Sequence, residues 1–236
     1  MKSILDPAVA VSRRLKHRVL PRGTHLREVR LGLARGAILP LDFSQHTRLY
    51  LGLYEIELNR FLRACAGRGL RSFDVGAQIG YDALLLAQLT GAPVMSFEAD
   101  PALADALKKT LTANGAVGSL IEARHATIAR STGFDGTLAL DDVTFGENFV
   151  PGLIKIDIDG GEVDALKGAA RILREIRPHL IVETHSPALE EACGLLMCEA
   201  GYRPVIVHQR RLWPDYRPTA QNRWLVAKGR PSVCSP

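Results

Sequence analysis

The sequence is poor in what several protein classes require. Its four cysteines, Cys65, Cys193, Cys198 and Cys234, form no CxxC pair and join no histidine cluster, so zinc-ribbon and thioredoxin-type chemistry lack their spacing. They read as reduced thiols. Nowhere do about eighteen apolar residues run together, as a membrane-spanning helix needs. The opening MKSILDPAVAVSRRLKHRV lacks the continuous apolar stretch and small-residue cleavage site of a secretion signal, so a cytoplasmic location is the expectation. Aromatic residues make up only 6%, and no platform of the kind that stacks single-stranded bases is visible. Acidic residues are scarce near the amino terminus: Arg13, Arg14, Lys16, Arg18, Arg22, Arg27, Arg30 and Arg35 are set against only Asp6 and Glu28. Most of the formal charge of +5 gathers there. Such a segment attracts nucleic acid, an anionic membrane or an acidic substrate, and a solvated helix face accounts for it as well.

What is present is ordinary globular composition, with 47% hydrophobic and 23% charged residues in a chain of 236. That length suits one well-buried domain with a modest extension. Residues 1–50 read as the extension and 51–236 as the domain. Asp6 and Pro7 resemble an N-cap followed by proline at the first helical position, and Ala8, Val11, Leu15 and Val19 recur at helical spacing, predicting an amphipathic helix that ends near Pro21. LREVRLGLARGAILPLDF alternates on both sides of Ala34-Arg35-Gly36, predicting a β-hairpin with a tight connection.

From Tyr54 onward helix and strand alternate. EIELNRFLRACA, YDALLLAQL, PALADALKKTLTAN, EVDALKGAARILREI and SPALEEACGLLMCEA read as helices; RSFDV, PVMSFEA, SLIEARHATI, GLIKIDI, HLIVETH, PVIVHQ and RWLVAK read as strands. This alternation predicts an α/β fold, a doubly wound, mostly parallel sheet with right-handed crossovers. In such sheets ligands sit at the carboxyl ends of the strands, where the strand order reverses.

RSFDVGAQIGYDALLLAQ, residues 71–88, carries the first such strand end. Gly76 and Gly80 permit a sharp turn and close approach to the main chain, before a helix whose first N–H groups are unpaired. A dinucleotide loop reads G-x-G-x-x-G; here Gly76-Ala77-Gln78-Ile79-Gly80 lacks the middle glycine, which disfavours NAD. Asp74, just before the turn, is poorly placed against a pyrophosphate and well placed against a cationic ligand. Glu98 ends the next strand, where a carboxylate can take both hydroxyls of a ribose. Adenosine with positive charge and no phosphate describes S-adenosylmethionine.

The sequence resembles class I S-adenosylmethionine-dependent methyltransferases and, within them, the FkbM family. The resemblance rests on GLYEIEL at 52–58, FDVGAQIGY at 73–81, FEADP at 97–101, TLALDDV at 137–143, LIKIDIDGGEVDALKGA at 153–169 and PHLIVETH at 178–185. It implies a seven-stranded sheet whose last two strands form an antiparallel edge, and O-methylation of a hydroxyl on a sugar, natural product or lipid-linked glycan. It also implies a cofactor set of Glu55, Asp74, Gly76, Ala77, Gly80, Glu98, Ala99, Ala126 and Asp157. The family usually has Asn where Gln78 stands, proline where Ala99 stands, and glutamate then alanine where Asp159 and Gly161 stand; the last departure falls near the acceptor side. Glu55 either folds over the cofactor or, with Tyr54, simply begins a helix. His125, after the third strand, either stacks on adenine or is a solvated loop residue.

Methyl transfer from a sulfonium is an in-line displacement, so alignment of the reactants is the main requirement. A base that takes the hydroxyl proton adds to it. Asp157, Asp159 and Glu162 follow one strand, and Glu183 and His185 follow the next. Asp157 is expected to orient the acceptor or face the methionine amine, with His185 or Glu183 as base; otherwise Asp157 pairs with Lys155 and His185 caps the next helix. No metal enters this assignment, although Asp157, Glu183 and His185 could together hold magnesium or manganese. The expected partner is a small-molecule or glycan acceptor, bound by loops at 126–150 and 208–222. Three alternatives stand beside it: RNA methylation, an S-adenosylmethionine-binding module without catalysis, and attachment of the first helix to a membrane surface. Nucleic acid is not expected, because the place of an Asn/Asp-Pro-Pro-aromatic turn reads DIDGG.

Overall fold

The computed structural model describes residues 23–210 and 223–231. The expected helix between Asp6 and Pro21 lies outside the described residues. Strand β1 (His25–Glu28) pairs antiparallel with β2 (Ile38–Leu41), forming the expected hairpin. Its connection is wider than a tight turn at Ala34-Arg35-Gly36, because Val29 N donates to Ala37 O at 2.8 Å and the chain between them makes an excursion. Gly32 presses that excursion against Gly52, whose carbonyl oxygen would lie 2.6 Å from a Cβ added at Gly32.

One helical turn, α1 (Thr47–Tyr50), and a 3-10 turn at Ile56–Leu58 lead into α2 (Asn59–Cys65). The alternating part follows as β3 (Ser72–Val75), α3 (Tyr81–Thr90), β4 (Val94–Glu98), α4 (Pro101–Ala113), α5 (Gly115–Gly118) and β5 (Ile121–His125). Helix α4 starts where the sequence signals it: Asp100 accepts from Ala102 N and Leu103 N, and Pro101 stands at the first position. Next come β6 (Thr127–Ile128), β7 (Thr137–Leu138), α6 (Leu140–Glu147), β8 (Leu153–Ile156), α7 (Glu162–Lys167) and α8 (Ala170–Glu175). The chain closes with β9 (His179–Thr184), α9 (Pro187–Glu199), β10 (Val205–His208) and β11 (Arg223–Ala227).

Three segments differ from expectation. SLIEARHATI is not one strand: Ala126 N donates to Glu98 O at the end of β5, and β6 then leaves to pair with β7 in a separate ribbon. EVDALKGAARILREI breaks after Lys167: Ala169 N turns to Leu166 O and Gly168 O accepts from Asp141 N, while Gly168 passes so close to the preceding ribbon that a Cβ there would meet Ala129 O at 2.1 Å. The stretch 126–150 is not simply loop: it contains that ribbon and α6, and Asp141 of α6 caps α8 by accepting from Arg171 N and Ile172 N, both at 2.8 Å.

The seven-stranded sheet has the order β10-β11-β9-β8-β3-β4-β5. The run from β9 to β5 is parallel, and β11 lies antiparallel to both its neighbours. The last two strands thus make the antiparallel edge, with β11 inserted between β9 and β10. Strand order reverses beside β3, between β8 and β4, which places the switch point at the ends of these three strands.

Alternation along each strand sorts the core onto two faces. Phe73, Val75, Met95, Phe97, Ile154, Ile156, Leu180 and Val182 pack together on one face. On the other, Val94, Leu153, Ile181 and Trp224 pack with Leu84 and Leu86 of α3. The hairpin belongs to that second core through Val29, Leu39 and Leu41. Asn114 fixes it further by accepting from Ile38 N at 2.8 Å and donating to Ile38 O at 2.7 Å. Arg27 and Arg30 of the basic segment lie over the rings of Phe43 and Tyr50. Among the described residues no helix is long and apolar enough to cross a membrane.

Candidate functional site

The turn after β3 is a left-handed excursion at three places: Gly76 has φ of 90°, Gln78 of 47° and Gly80 of 92°. Gly76 needs its missing Cβ twice over, since one would also stand 1.9 Å from the Asp157 carbonyl oxygen at the end of β8. Gly80 lets the start of α3 approach α4, where a Cβ would meet Leu107 Cδ1 at 2.6 Å. Gln78 occupies a conformation that asparagine adopts more readily, a physical reason for the family residue there. Gly76 N and Ala77 N both donate to Phe97 O, at 2.9 and 3.0 Å.

Glu98 finishes the turn's construction. Its two carboxylate oxygens accept from Gln78 N at 2.7 Å and Asp100 N at 2.8 Å, tying the β3 turn to the β4 turn. Each of these oxygens retains a second acceptor direction.

A cavity of about 450 Å³ opens at this turn. Its floor is Gly76, Ala77, Gln78 and the carboxylates of Asp82 and Asp157; Tyr54 and Tyr81 stand at one side. A further wall is Gln45, His46, Arg48 and Leu49, contributed by the chain around α1. No motif marks that wall in the sequence. Asp82 did have a signal, as an acid in the first turn of the helix that follows Gly80.

Of the residues singled out by sequence, Gly76, Ala77 and Asp157 line the cavity. Asp74, Glu55, Gly80, Glu98, Ala99 and Ala126 are not among its lining residues. Ala126 packs in the core on the far face of the sheet. Ala99 offers its carbonyl to the ring of His125, 3.1 Å away. Glu55, at φ of 46°, opens the 3-10 turn and is buried against Lys155, while its neighbour Tyr54 reaches the cavity.

Behind the floor lies a row of polar side chains that neither core absorbs. The register sets Asp74 beside Ser96 on β4 and Lys155 on β8. Lys155 Nζ is 2.8 Å from Asp82, 3.2 Å from Glu55 and 3.7 Å from Asp157. Burial alone would lower its pKa, but Asp82, Glu55 and Asp157 together raise it well above the ordinary lysine value. Its best partner is therefore Asp82, and the pairing with Asp157 that the sequence offered as the alternative role of that residue is the longest of the three.

Asp74 does not behave as an exposed carboxylate facing a cation. Burial, then the charges of Asp82 and Asp157, push its pKa up to about 8 against the opposing pull of Lys155 and of Ser96, whose hydroxyl donates to it. A carboxyl with its folded pKa raised binds its proton more tightly than the unfolded chain does, so this contribution favours folding at low pH and fades as pH rises towards 8. Asp74→Asn removes that dependence. Relative to wild type it is expected to gain about 3–4 kcal/mol between pH 5 and pH 8, since most of three pKa units is spanned and each is worth about 1.4 kcal/mol. Urea midpoints at the two pH values measure this, and a constant difference would refute it.

Beyond Asp157 the ends of β8 and β9 carry a second cluster. His185 Nδ1 is 2.6 Å from Glu162 Oε1; its Nε2 is 3.3 Å from Asp159, 3.6 Å from Asp157 and 3.8 Å from Glu183. The bond to Glu162, with help from Asp157 and Asp159, raises the His185 pKa despite burial. His185 does not cap α9, because Ser186 does so by accepting from Leu189 N. Glu183 is fully buried and accepts from Trp224 Nε1 at 3.2 Å.

Comparison with known proteins bears on this arrangement. A family model described as the methyltransferase FkbM domain matches residues 134–204, from just before β7 to the approach to β10. Among solved structures, a methyltransferase FkbM from Methylobacillus flagellatus KT superposes with a TM-score of 0.52 at 22% identity, covering 67% of this chain and 43% of that one. This chain therefore spans less than half of that protein. An O-methyltransferase from Bacillus cereus in complex with SAH gives 0.50 at 15% identity, over 73% of this chain and 79% of that one. A protein of the NADB-Rossmann superfamily from Streptococcus agalactiae gives 0.53 at 17%, over 77% and 71%. None of the curated proteins matches. At these identities the structures establish the fold alone, a Rossmann-like sheet shared with solved methyltransferases, and residues 134–204 of this chain match the model of the methyltransferase FkbM domain.

Proposed function

We propose that the protein is an S-adenosylmethionine-dependent methyltransferase acting on a hydroxyl of a sugar or natural-product acceptor. The observation that carries this reading is the floor of the cavity, where the backbone of Gly76 to Gln78 runs beside the carboxylates of Asp82 and Asp157 at the switch point. Bare backbone suits a nucleoside, and paired carboxylates suit an ammonium and a sulfonium rather than a pyrophosphate. The methyltransferase domain match and the SAH complex of the Bacillus cereus relative agree with that donor set.

When bound, S-adenosylmethionine supplies an electrophilic methyl carbon on positively charged sulfur. The protein's own residues supply position. Glu98 holds the turn through Gln78 N and Asp100 N, and its remaining acceptor directions suit ribose hydroxyls. Asp157, shared by the cavity and the His185 cluster, is placed to orient an acceptor oxygen. Such alignment can contribute about 7–11 kcal/mol to a displacement of this kind. His185 is the weaker candidate for proton acceptor near neutral pH, because Glu162 favours its protonated form.

Calorimetric titration tests the reading. The wild type is expected to bind S-adenosylmethionine and not NAD, and Glu98→Ala to weaken that binding by roughly ten- to a hundredfold, the worth of a charge-assisted hydrogen bond. A chain that binds neither ligand, or that prefers NAD, would overturn the assignment.

A further inference from the structure

The cluster at the ends of β8 and β9 has a geometry that acid–base roles alone leave unexplained. One carboxylate oxygen each from Asp157 and Glu183 and one ring nitrogen of His185 all lie within 4.8 Å of one another. His185 Nε2 is 3.6 Å from Asp157 Oδ1 and 3.8 Å from Glu183 Oε1. Both separations exceed a hydrogen bond. A cation about 2.2 Å from each of three ligand atoms sets them about 3.1 Å apart at right angles and about 3.6 Å apart in a tetrahedral arrangement. The two separations from Nε2, 3.6 and 3.8 Å, lie at and just beyond the tetrahedral value.

The surroundings point the same way. Glu162, fully buried, takes the Nδ1 side of His185 at 2.6 Å and so directs Nε2 towards the carboxylates of Asp157, Glu183 and the exposed Asp159. Holding the second ring nitrogen by a carboxylate is the usual outer-shell arrangement of a metal-bound histidine. Trp224 Nε1 likewise holds Glu183 Oε2, leaving Oε1 as the oxygen nearest His185. The second oxygen of Glu162 is buried and accepts no hydrogen bond among the described residues. Asp157, Glu162 and Glu183, each less than a tenth exposed, thus surround a single imidazole. Lys155 is 3.7 Å from Asp157 and closer to Asp82 and Glu55.

We infer that Asp157, Glu183 and His185 form a binding site for one divalent cation, for which a mixed carboxylate and imidazole set favours manganese over calcium. Asp157 also lines the cavity, so the ion is reached from it and stands where it would bind and orient an acceptor hydroxyl. That role, though not the site, rests on the methyltransferase reading.

Manganese(II) titrated into chelator-treated full-length protein, followed by the loss of the free-ion electron paramagnetic resonance signal, tests the site. One ion per chain is expected. Glu183→Gln and His185→Gln should each lower its affinity at least tenfold, and the outer-shell variant Glu162→Gln by about ten- to a hundredfold. Asp105→Asn, an exposed carboxylate on α4, should leave it unchanged. Circular dichroism melts select variants that keep the wild-type fold, and Glu162→Gln serves if a direct ligand variant fails to fold. Absence of saturable binding, or binding indifferent to all three cluster substitutions, overturns the site. Titrating S-adenosylmethionine in the same samples separates the two ideas: manganese binding without cofactor binding upholds the site and removes the methyltransferase reading, and the converse removes the site alone.

Discussion

Gly76→Ala is expected to leave little folded protein. A Cβ at this position would stand 1.9 Å from Asp157 O and 2.8 Å from Asp157 C, and both are main-chain atoms that no rotamer change can move. The strands cannot separate to make room, because Gly76 N donates to Phe97 O on one side and Asp157 N donates to Val75 O on the other, at 2.9 and 2.8 Å. A left-handed φ costs a residue with a Cβ about 1–2 kcal/mol, and forcing extra volume into a close-packed place adds about 1–3 kcal/mol. Together these come to about 2–5 kcal/mol, reaching the lower end of the stability of a typical domain at about 5–15 kcal/mol, and a main-chain overlap at 1.9 Å exceeds the ordinary packing strain in that sum. Gly36 supplies the comparison. Its φ is 91°, yet nothing lies within 4 Å of its added Cβ, so Gly36→Ala should lose only the conformational part. Urea unfolding of the two variants measures the difference, and similar midpoints would show that the close approach of β3 and β8 is not a real constraint.

The same position shows what a sequence makes legible. Gly76 and Gly80 announce a turn because their requirement is local: both have positive φ and both stand between a strand and a helix. The alternation of apolar runs likewise carries the sheet. Non-local consequences are hidden. Asp74 reads as a carboxylate facing a ligand until the register places it between Ser96 and Lys155, on strands that follow it by long intervals, and burial then makes it an acid with a pKa of about 8. Gln45 to Leu49 carry no motif, yet the hairpin's packing on α3 and α4 brings them over the turn as a wall of the cavity. Gly168 reads as an incidental glycine within one long helix, and only contact with Ala129 shows why no side chain fits there. The polar letters in KIDID were the clearest warning. A parallel strand buried on both faces is normally a continuous apolar run, so Lys155 and Asp157 signalled a site before their partners could be named.

Lys155→Met should destabilise the protein by about 3–5 kcal/mol, as removal of one member of a buried ion pair does. Lys155 is only 2% exposed, and it stands 2.8 Å from Asp82 and 3.2 Å from Glu55. Methionine fills much of the volume, so the loss reports charge rather than a cavity. Burial already raises the pKa of both Glu55 and Asp82, with Lys155 the opposing influence in each. Without the lysine both pKa values rise further. Carboxyls raised in the folded state favour folding at low pH and withdraw that support as pH climbs, so the deficit of Lys155→Met relative to wild type should be larger at pH 8 than at pH 5. Neutralising the partners supplies the decisive comparison: in the triple variant Lys155→Met, Asp82→Asn, Glu55→Gln, most of the lost stability should return. A single-variant loss that is independent of pH and not recovered in the triple variant would assign Lys155 to packing instead. Because Asp82 and Asp157 also form the cavity floor, the triple variant should fold and yet bind a cationic ligand poorly, which separates the charge that stabilises the fold from the charge that the site presents.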